Sequence, residues 1–290
     1  MEYSYDALVA GKAMREVVVR HPKFNDALTL ISNVVQIGNS TGAPAGVRII
    51  APAGSGKTFL FQCLRKNIIG LPILKDKLAV IHASLKESPT VAQIQNELLS
   101  NFQYDAGLVT TRSSTNNEIN IILLRSIKDL GVKLIVLDEF QHIFLQQGKV
   151  STIVVDWVKR LMNETAVPVV LIGTEMLDQL TGIDPQLTTR VPTSIRLGLF
   201  RYDKHWLVFL KGLADSCEKI DLSDIYERYS REFFTATNGT PRLLKSLLIQ
   251  IVILGVTEKR EKVDISLIRR AYELVFGPES AQESPFATFS

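Results

Sequence analysis

The run APAGSGKTFL at residues 51–60 constrains this chain more than any other stretch. It follows the short apolar segment GVRIIAP (46–52) and precedes a stretch of helical pattern from about Lys57 to Asn67. Strand, glycine-rich turn and helix in that order make the P-loop arrangement, with Ala51 where the first glycine usually stands. Gly54 and Gly56 allow the backbone to curl so that successive N–H groups face phosphate oxygens. The spacing predicts a nucleotide cradle formed by Ala53, Gly54, Ser55, Gly56, Lys57, Thr58 and Phe59. Lys57 is expected to reach the β- and γ-phosphates and Thr58 to offer its hydroxyl to Mg2+. The helix N-terminus adds its positive dipole end.

The second constraint is LIVLDEF (134–140). Four apolar residues put Asp138 at the carboxyl end of a buried strand. There it is expected to hold Mg2+, with Glu139 polarising an attacking water. The segment LAVIHASL (78–85) reads as a further strand between the two motifs in sequence. An inserted strand and an adjacent glutamate point to a P-loop ATPase of the AAA+ type rather than a kinase or GTPase.

The remaining pattern agrees with a parallel sheet. PVVLIGT (168–174) reads as a fourth strand and TSIRLGLF (193–200) as a fifth, with helical patterns between them. Nearly all-apolar strands alternating with helices predict a five-stranded parallel sheet sandwiched by helices. After Phe200 the patterns are helical only, as in PRLLKSLLIQIVILGV. The expected organisation is an N-terminal helical segment over 1–45, a P-loop α/β domain over 46–200, a small helical lid over 201–276 and a mobile tail over 277–290.

Composition limits the alternatives. Of 290 residues, 46% are hydrophobic and 22% charged, as in soluble globular proteins. The run SLLIQIVILGV (246–256) is too short to span a bilayer, and the first residues do not read as a secretory signal. Cys63 and Cys217 lack metal-ligand spacing and read as reduced thiols, so a cytoplasmic protein without membrane partners is expected. A net charge of +3 permits contact with nucleic acid without arguing for it. The four histidines are scattered, and no Gly-x-Ser-x-Gly motif is present, so the nucleotide site is the chemistry the sequence defends.

Three polar residues extend that site. Thr174 ends the fourth strand in position to sense a γ-phosphate. Arg190, in DPQLTTRVP (184–192), can reach the nucleotide of a neighbouring subunit. Arg242, in NGTPRLL (238–244), stands at a helix start where it can turn onto phosphates of its own subunit.

Taken in order, RHPKF (20–24), APAGSGKT, LIVLDEFQHIF, LIGTEMLDQL, DPQLTTR and NGTPRLL resemble the TniB/TnsC family of AAA+ transposition regulators, from about Arg20 to Phe276. Tn5053-like and Tn7-like elements, including CRISPR-associated transposons, carry such proteins. The resemblance implies an ATPase that binds double-stranded DNA when loaded with ATP and assembles on it as a ring or filament. It further implies a link between a target selector of the TniQ/TnsD kind, including one within a CRISPR effector complex, and a TnsB/TniA-like transposase. Lys57 and Thr58 would hold phosphates and Mg2+, Asp138 Mg2+, Glu139 would drive hydrolysis, and Arg190 would act across the subunit interface. Val191 follows Arg190 where the family commonly has an aromatic, which leaves Arg196 as an alternative trans arginine. Lys86, Thr111, Arg112 and Lys149 are the expected DNA-phosphate contacts, and Phe286 and Phe289 in the tail could dock on a partner. Two other readings stay open: an AAA+ ATPase acting on a protein partner in secretion or signalling, and an ATP-binding assembly module without turnover.

Overall fold

The apolar runs read from the sequence come together as one parallel sheet in the computed structural model, which describes residues 2–67, 70–76, 78–102, 116–144, 150–281 and 284–287. Its strands are β1 (Val47–Ile50), β2 (Val80–Ser84), β3 (Leu134–Asp138), β4 (Val169–Gly173) and β5 (Thr193–Arg196). Their order across the sheet is β2-β3-β4-β1-β5. The central β1, β3 and β4 are buried along their whole length, whereas β5 alternates half-buried and exposed residues, as an edge strand does. The strand that intervenes in sequence between the P-loop and Asp138, β2, lies at the opposite edge. In space β4 separates β1 from β3. Parallel pairing puts every carboxyl end on one side, so the P-loop, Thr174 and Asp138 follow neighbouring strands at a single edge.

The chain divides into two compact units, Lys23–Gly198 around the sheet and a helical unit made of Met1–Pro22 with Leu199–Ser290. In the sheet unit, α2 (Pro22–Thr41), α3 (Lys57–Arg65), α4 (Val91–Ser100), α5 (Asn116–Asp129) and α6 (Thr152–Thr165) cover the strands. Ile81, Ile135, Leu137 and Leu171 share one buried cluster with Leu98, Leu123, Trp157 and Val158, so α4, α5 and α6 lie on that face. On the other face Phe61 of α3 stacks on His82 at 4.1 Å, and Asn39 of α2 donates to the Lys133 carbonyl. Local sequence sets the helix starts. Thr90 and Gln93 form a reciprocal capping box at α4. Beyond β4 come two short helices, α7 (Leu180–Ile183) and α8 (Pro185–Arg190). Asp184 caps α8, and Pro185 occupies its first turn.

The segment expected as one piece over 1–45 is shared between the two units. The first helix, α1 (Tyr5–Glu16), packs in the helical unit against α12 (Pro241–Thr257). Gly11 makes the close approach possible, since a Cβ there would lie 2.7 Å from Cγ1 of Ile253. Lys245 donates to the carbonyls of Arg15 (2.8 Å) and Val17 (2.6 Å), closing the carboxyl end of α1. Around these pack α9 (Lys204–Asp215), α10 (Ser223–Glu227), α11 (Ser230–Thr237) and α13 (Ile265–Phe276), with Trp206 and Phe233 among the largest fully buried side chains. Among the described residues no single helix is long and apolar enough to cross a membrane; the apolar α12 buries Leu244, Leu247, Leu248, Ile251, Val252 and Leu254 inside this unit.

The tail is a second departure. It was expected to be mobile, yet Phe286 is fully buried, edge-on to Phe233 and Tyr272. Arg269 donates to the Phe286 carbonyl at 2.9 Å and to that of Ala287 at 3.0 Å. One aromatic ring in a core cavity, with its carbonyls satisfied, outweighs the polar character of its neighbours. Phe289 lies outside the described residues. Truncating Phe286 to Ala is expected to destabilise the helical unit by about 3–4 kcal/mol, read as a lowered urea midpoint.

Candidate nucleotide site

The P-loop leaves β1 at Ala51, whose N–H donates to the Gly173 carbonyl at 2.7 Å. Gly54 and Gly56 adopt φ of 79° and 102°, the left-handed region the curl requires. The Ser55 hydroxyl donates to the Pro52 carbonyl at 2.8 Å and closes the loop. The chain then enters α3 at Lys57. Lys57 is 8% exposed, and its Nζ lies 3.0 Å from Oε1 of Glu139. Thr58 is exposed, while Phe59 is half-buried and faces the Phe24 ring at 5.8 Å.

Asp138 ends β3 and is 6% exposed. Its Oδ1 accepts the Glu139 N–H at 2.7 Å. Burial pushes the Asp138 carboxyl above the ordinary aspartate range, against the pull of that hydrogen bond. Glu139 turns the chain through a left-handed conformation, φ 52°. Burial alone would raise its pKa, but hydrogen bonds from Gln141 and Lys57 and the Lys57 charge hold it below the ordinary glutamate range. Thr174 follows β4 directly and its N–H donates to Oε1 of Gln141 at 3.2 Å.

The donor set fits Mg2+. The Thr58 hydroxyl and a carboxylate with one oxygen already engaged are hard oxygen ligands that leave room for phosphate and water. Among the described residues no cluster of three or more His, Cys, Asp or Glu forms a closed metal cage.

The structure brings Lys57, Asp138, Glu139 and Thr174 together at one edge of the sheet. Arg190 is the last residue of α8 and half-buried, with Nη1 on the Gln186 carbonyl at 3.1 Å and Nε 3.4 Å from Oδ1 of Asn163. Arg196 is neutralised by Asp178 at 2.5 Å. Arg242 is exposed in the first turn of α12, in the helical unit. Lys86 is exposed just after β2; Thr111, Arg112 and Lys149 lie outside the described residues. Gln141 was missed by sequence reasoning. It stands in DEFQHIF with no periodic signal, and only the left-handed turn at Glu139 turns it back toward the site.

A P-loop joined to this strand order, with an acidic pair at the end of β3 and a polar residue just after β4, defines the chain as an AAA+ fold. A family model described as bacterial TniB protein matches residues 11–198, and the chain belongs to that family. No curated protein matches it in sequence. Among solved structures it is similar to the Aeropyrum pernix ORC2 protein in ADPNP–ADP complexes, with a TM-score of 0.67, 15% identity and coverage of 91% of this chain and 71% of that one. It is also similar to Cdc6p of Pyrobaculum aerophilum (TM-score 0.66, 14% identity, 91% and 70% covered). A third is the Aeropyrum pernix ORC1 protein in complex with DNA (0.65, 15%, 89% and 66%). At such identities the likeness speaks for the fold.

The support under Arg190 is testable. Lys159 bridges Asp156 and Asp184, and Asp184 accepts the Leu187 N–H at 2.6 Å. Burial alone would raise Asp184, but that cap and Lys159 hold its carboxyl low. Replacing Asp184 by Ala is expected to cost about 1–2 kcal/mol at neutral pH. A depressed carboxylate contributes above its unfolded pKa, near 3.9, and loses the contribution as pH falls through the folded value. The difference from the unaltered protein should therefore narrow in denaturation curves taken below pH 4.

Proposed function

We propose that this TniB-family protein is a Mg2+-dependent ATPase that uses nucleotide to control its hold on double-stranded DNA. The observation that carries the reading is the meeting of Lys57, Asp138, Glu139 and Thr174 at one sheet edge, with Glu139 ion-paired to the P-loop lysine. Lys57 and the backbone of residues 53–58 bind the β- and γ-phosphates. Thr58 and Asp138 would hold Mg2+, which would supply charge neutralisation on the phosphate oxygens. Glu139 orients and polarises the attacking water, and Thr174 faces the γ-phosphate. Arg190 acts on the nucleotide of a neighbouring copy in a homo-oligomer. Its partners in this chain are neutral, whereas Arg196 already has a carboxylate, and that favours Arg190 as the trans arginine.

Membership of the TniB family supports transposition as the setting. The protein would assemble on target DNA in the ATP state and link a TniQ/TnsD-like target selector to a TnsB/TniA-like transposase. DNA in the ORC1 complex supports a DNA-directed reading over a protein-directed one. Lys86 is a phosphate contact in this reading, giving affinity without sequence readout. Hydrolysis then times release, because a nucleotide shifts an equilibrium only through its different affinity for two states.

Two measurements test this. Lys57→Ala should abolish nucleotide binding, whereas Glu139→Gln should keep binding and lower turnover by about 100-fold or more. Electron microscopy with duplex DNA should show rings or filaments with a slowly hydrolysed ATP analogue and none with ADP. Assembly in neither state would point to a protein-directed ATPase.

A further inference from the structure

We infer that Gln141 is the residue that aims Glu139, tying it to the carboxyl end of β4; the inference rests on the ATPase reading above. The backbone prepares the contact. After the left-handed turn at Glu139, residues Phe140–Ile143 form one 3-10 turn, anchored by Phe140 and Ile143, both fully buried. That turn brings the Gln141 side chain back over the residue two positions before it. The two ends of its amide are then used differently. Nε2 donates to Oε2 of Glu139, and Oε1 accepts the Thr174 N–H at 3.2 Å. Gly173 leaves room for this seat, since a Cβ there would lie 2.6 Å from Oε1 of Gln141 and the amide would have to shift.

The two carboxylate oxygens of Glu139 thus have separate partners, Oε1 on Lys57 and Oε2 on Gln141. The two bonds respond differently to a phosphate group. Phosphate competes with Oε1 for the Lys57 ammonium, because both are anions seeking one cation. A neutral amide donor already engaged on both sides is not drawn away in the same manner. Gln141 therefore keeps hold of Oε2 while Oε1 becomes the oxygen that faces water. The role requires a donor toward Glu139 and an acceptor toward the Thr174 N–H at once, which a glutamine amide supplies. A glutamate offers acceptors only and places a second negative charge beside Glu139. An asparagine is one methylene too short for the span. The Gly173 carbonyl also accepts the Ala51 N–H, so residues 173–174 touch the base of the phosphate loop as well as the group that aims Glu139.

The test is steady-state phosphate release by the full chain with ATP, Mg2+ and duplex DNA, alongside the affinity of a fluorescent ATP analogue. Gln141→Ala is expected to lower kcat about 10- to 100-fold while the analogue's Kd stays within about two-fold, since Lys57 and Thr58 are untouched. Gln141→Asn should not restore the rate, and Gln141→Glu should be at least as slow as Ala. In single turnovers on a Glu139→Gln background, adding Gln141→Ala should cause no further loss, the sign of two residues acting as one unit. Wild-type kcat in Gln141→Ala would overturn the inference. So would equal falls in affinity and kcat, or a full further loss on the Glu139→Gln background, because each describes a merely structural glutamine. If Gln141→Ala does not fold, the nearly isosteric Gln141→Glu decides by the same readings. No turnover in the unaltered protein, or wild-type turnover in Glu139→Gln, removes the ATPase reading and this inference together; loss in Glu139→Gln with wild-type Gln141→Ala removes this inference alone.

Discussion

One ammonium group organises the carboxyl edge of the sheet. Lys57 is almost wholly buried where a helix begins, and a buried cation is tolerated only beside an anion. The fold supplies that anion from β3, two strands away, through a turn that no ordinary strand ending would make. The left-handed backbone of Glu139 and the buried Asp138 that accepts its N–H accompany the delivery of a carboxylate to that ammonium. The same pairing makes the site responsive, since a carboxylate and a phosphate compete for one positive charge.

The parts of this arrangement that could be read in the sequence are local. Gly54 and Gly56 announce positive φ through their identity, and LIVLD announces a buried strand through an unbroken apolar run. Strand order is not local. LAVIHASL reads as a strand between the two motifs, yet neighbours in a parallel sheet are chosen by crossovers over long separations, and β4 takes the central place. Helix partners are hidden for the same reason. The segment over 1–45 reads as helical without naming a partner, and its first helix, Tyr5–Glu16, packs against α12. Phe286 was misread because a single aromatic in a polar stretch carries no period, although one ring is enough to fill a cavity. Gln141 escaped because its role depends on the dihedral angle of a residue two positions earlier.

The motif RHPKF illustrates how one short run can serve two purposes. His21 packs edge-on against Phe200 and Phe209 in the helical unit, while Phe24 faces Phe59 of α3 in the sheet unit. The chain passes from one unit to the other between Pro22 and Lys23. Proline at the start of α2 fits that passage, as it restricts the preceding backbone and opens the next helix.

The shared membership of α1 and the helices after Leu199 in one unit has a consequence for biosynthesis. The ribosome delivers α1 before the sheet unit, and the whole sheet unit must emerge before α12 exists. At ordinary elongation rates of ~5–20 residues per second, that wait lasts on the order of ten seconds or more. During it the buried face of α1, with Ala7, Ala10 and Met14, has no native partner, while the sheet unit can already close around its own core. Vectorial synthesis thus favours a nascent chain with the nucleotide-binding half finished and the helical half still open.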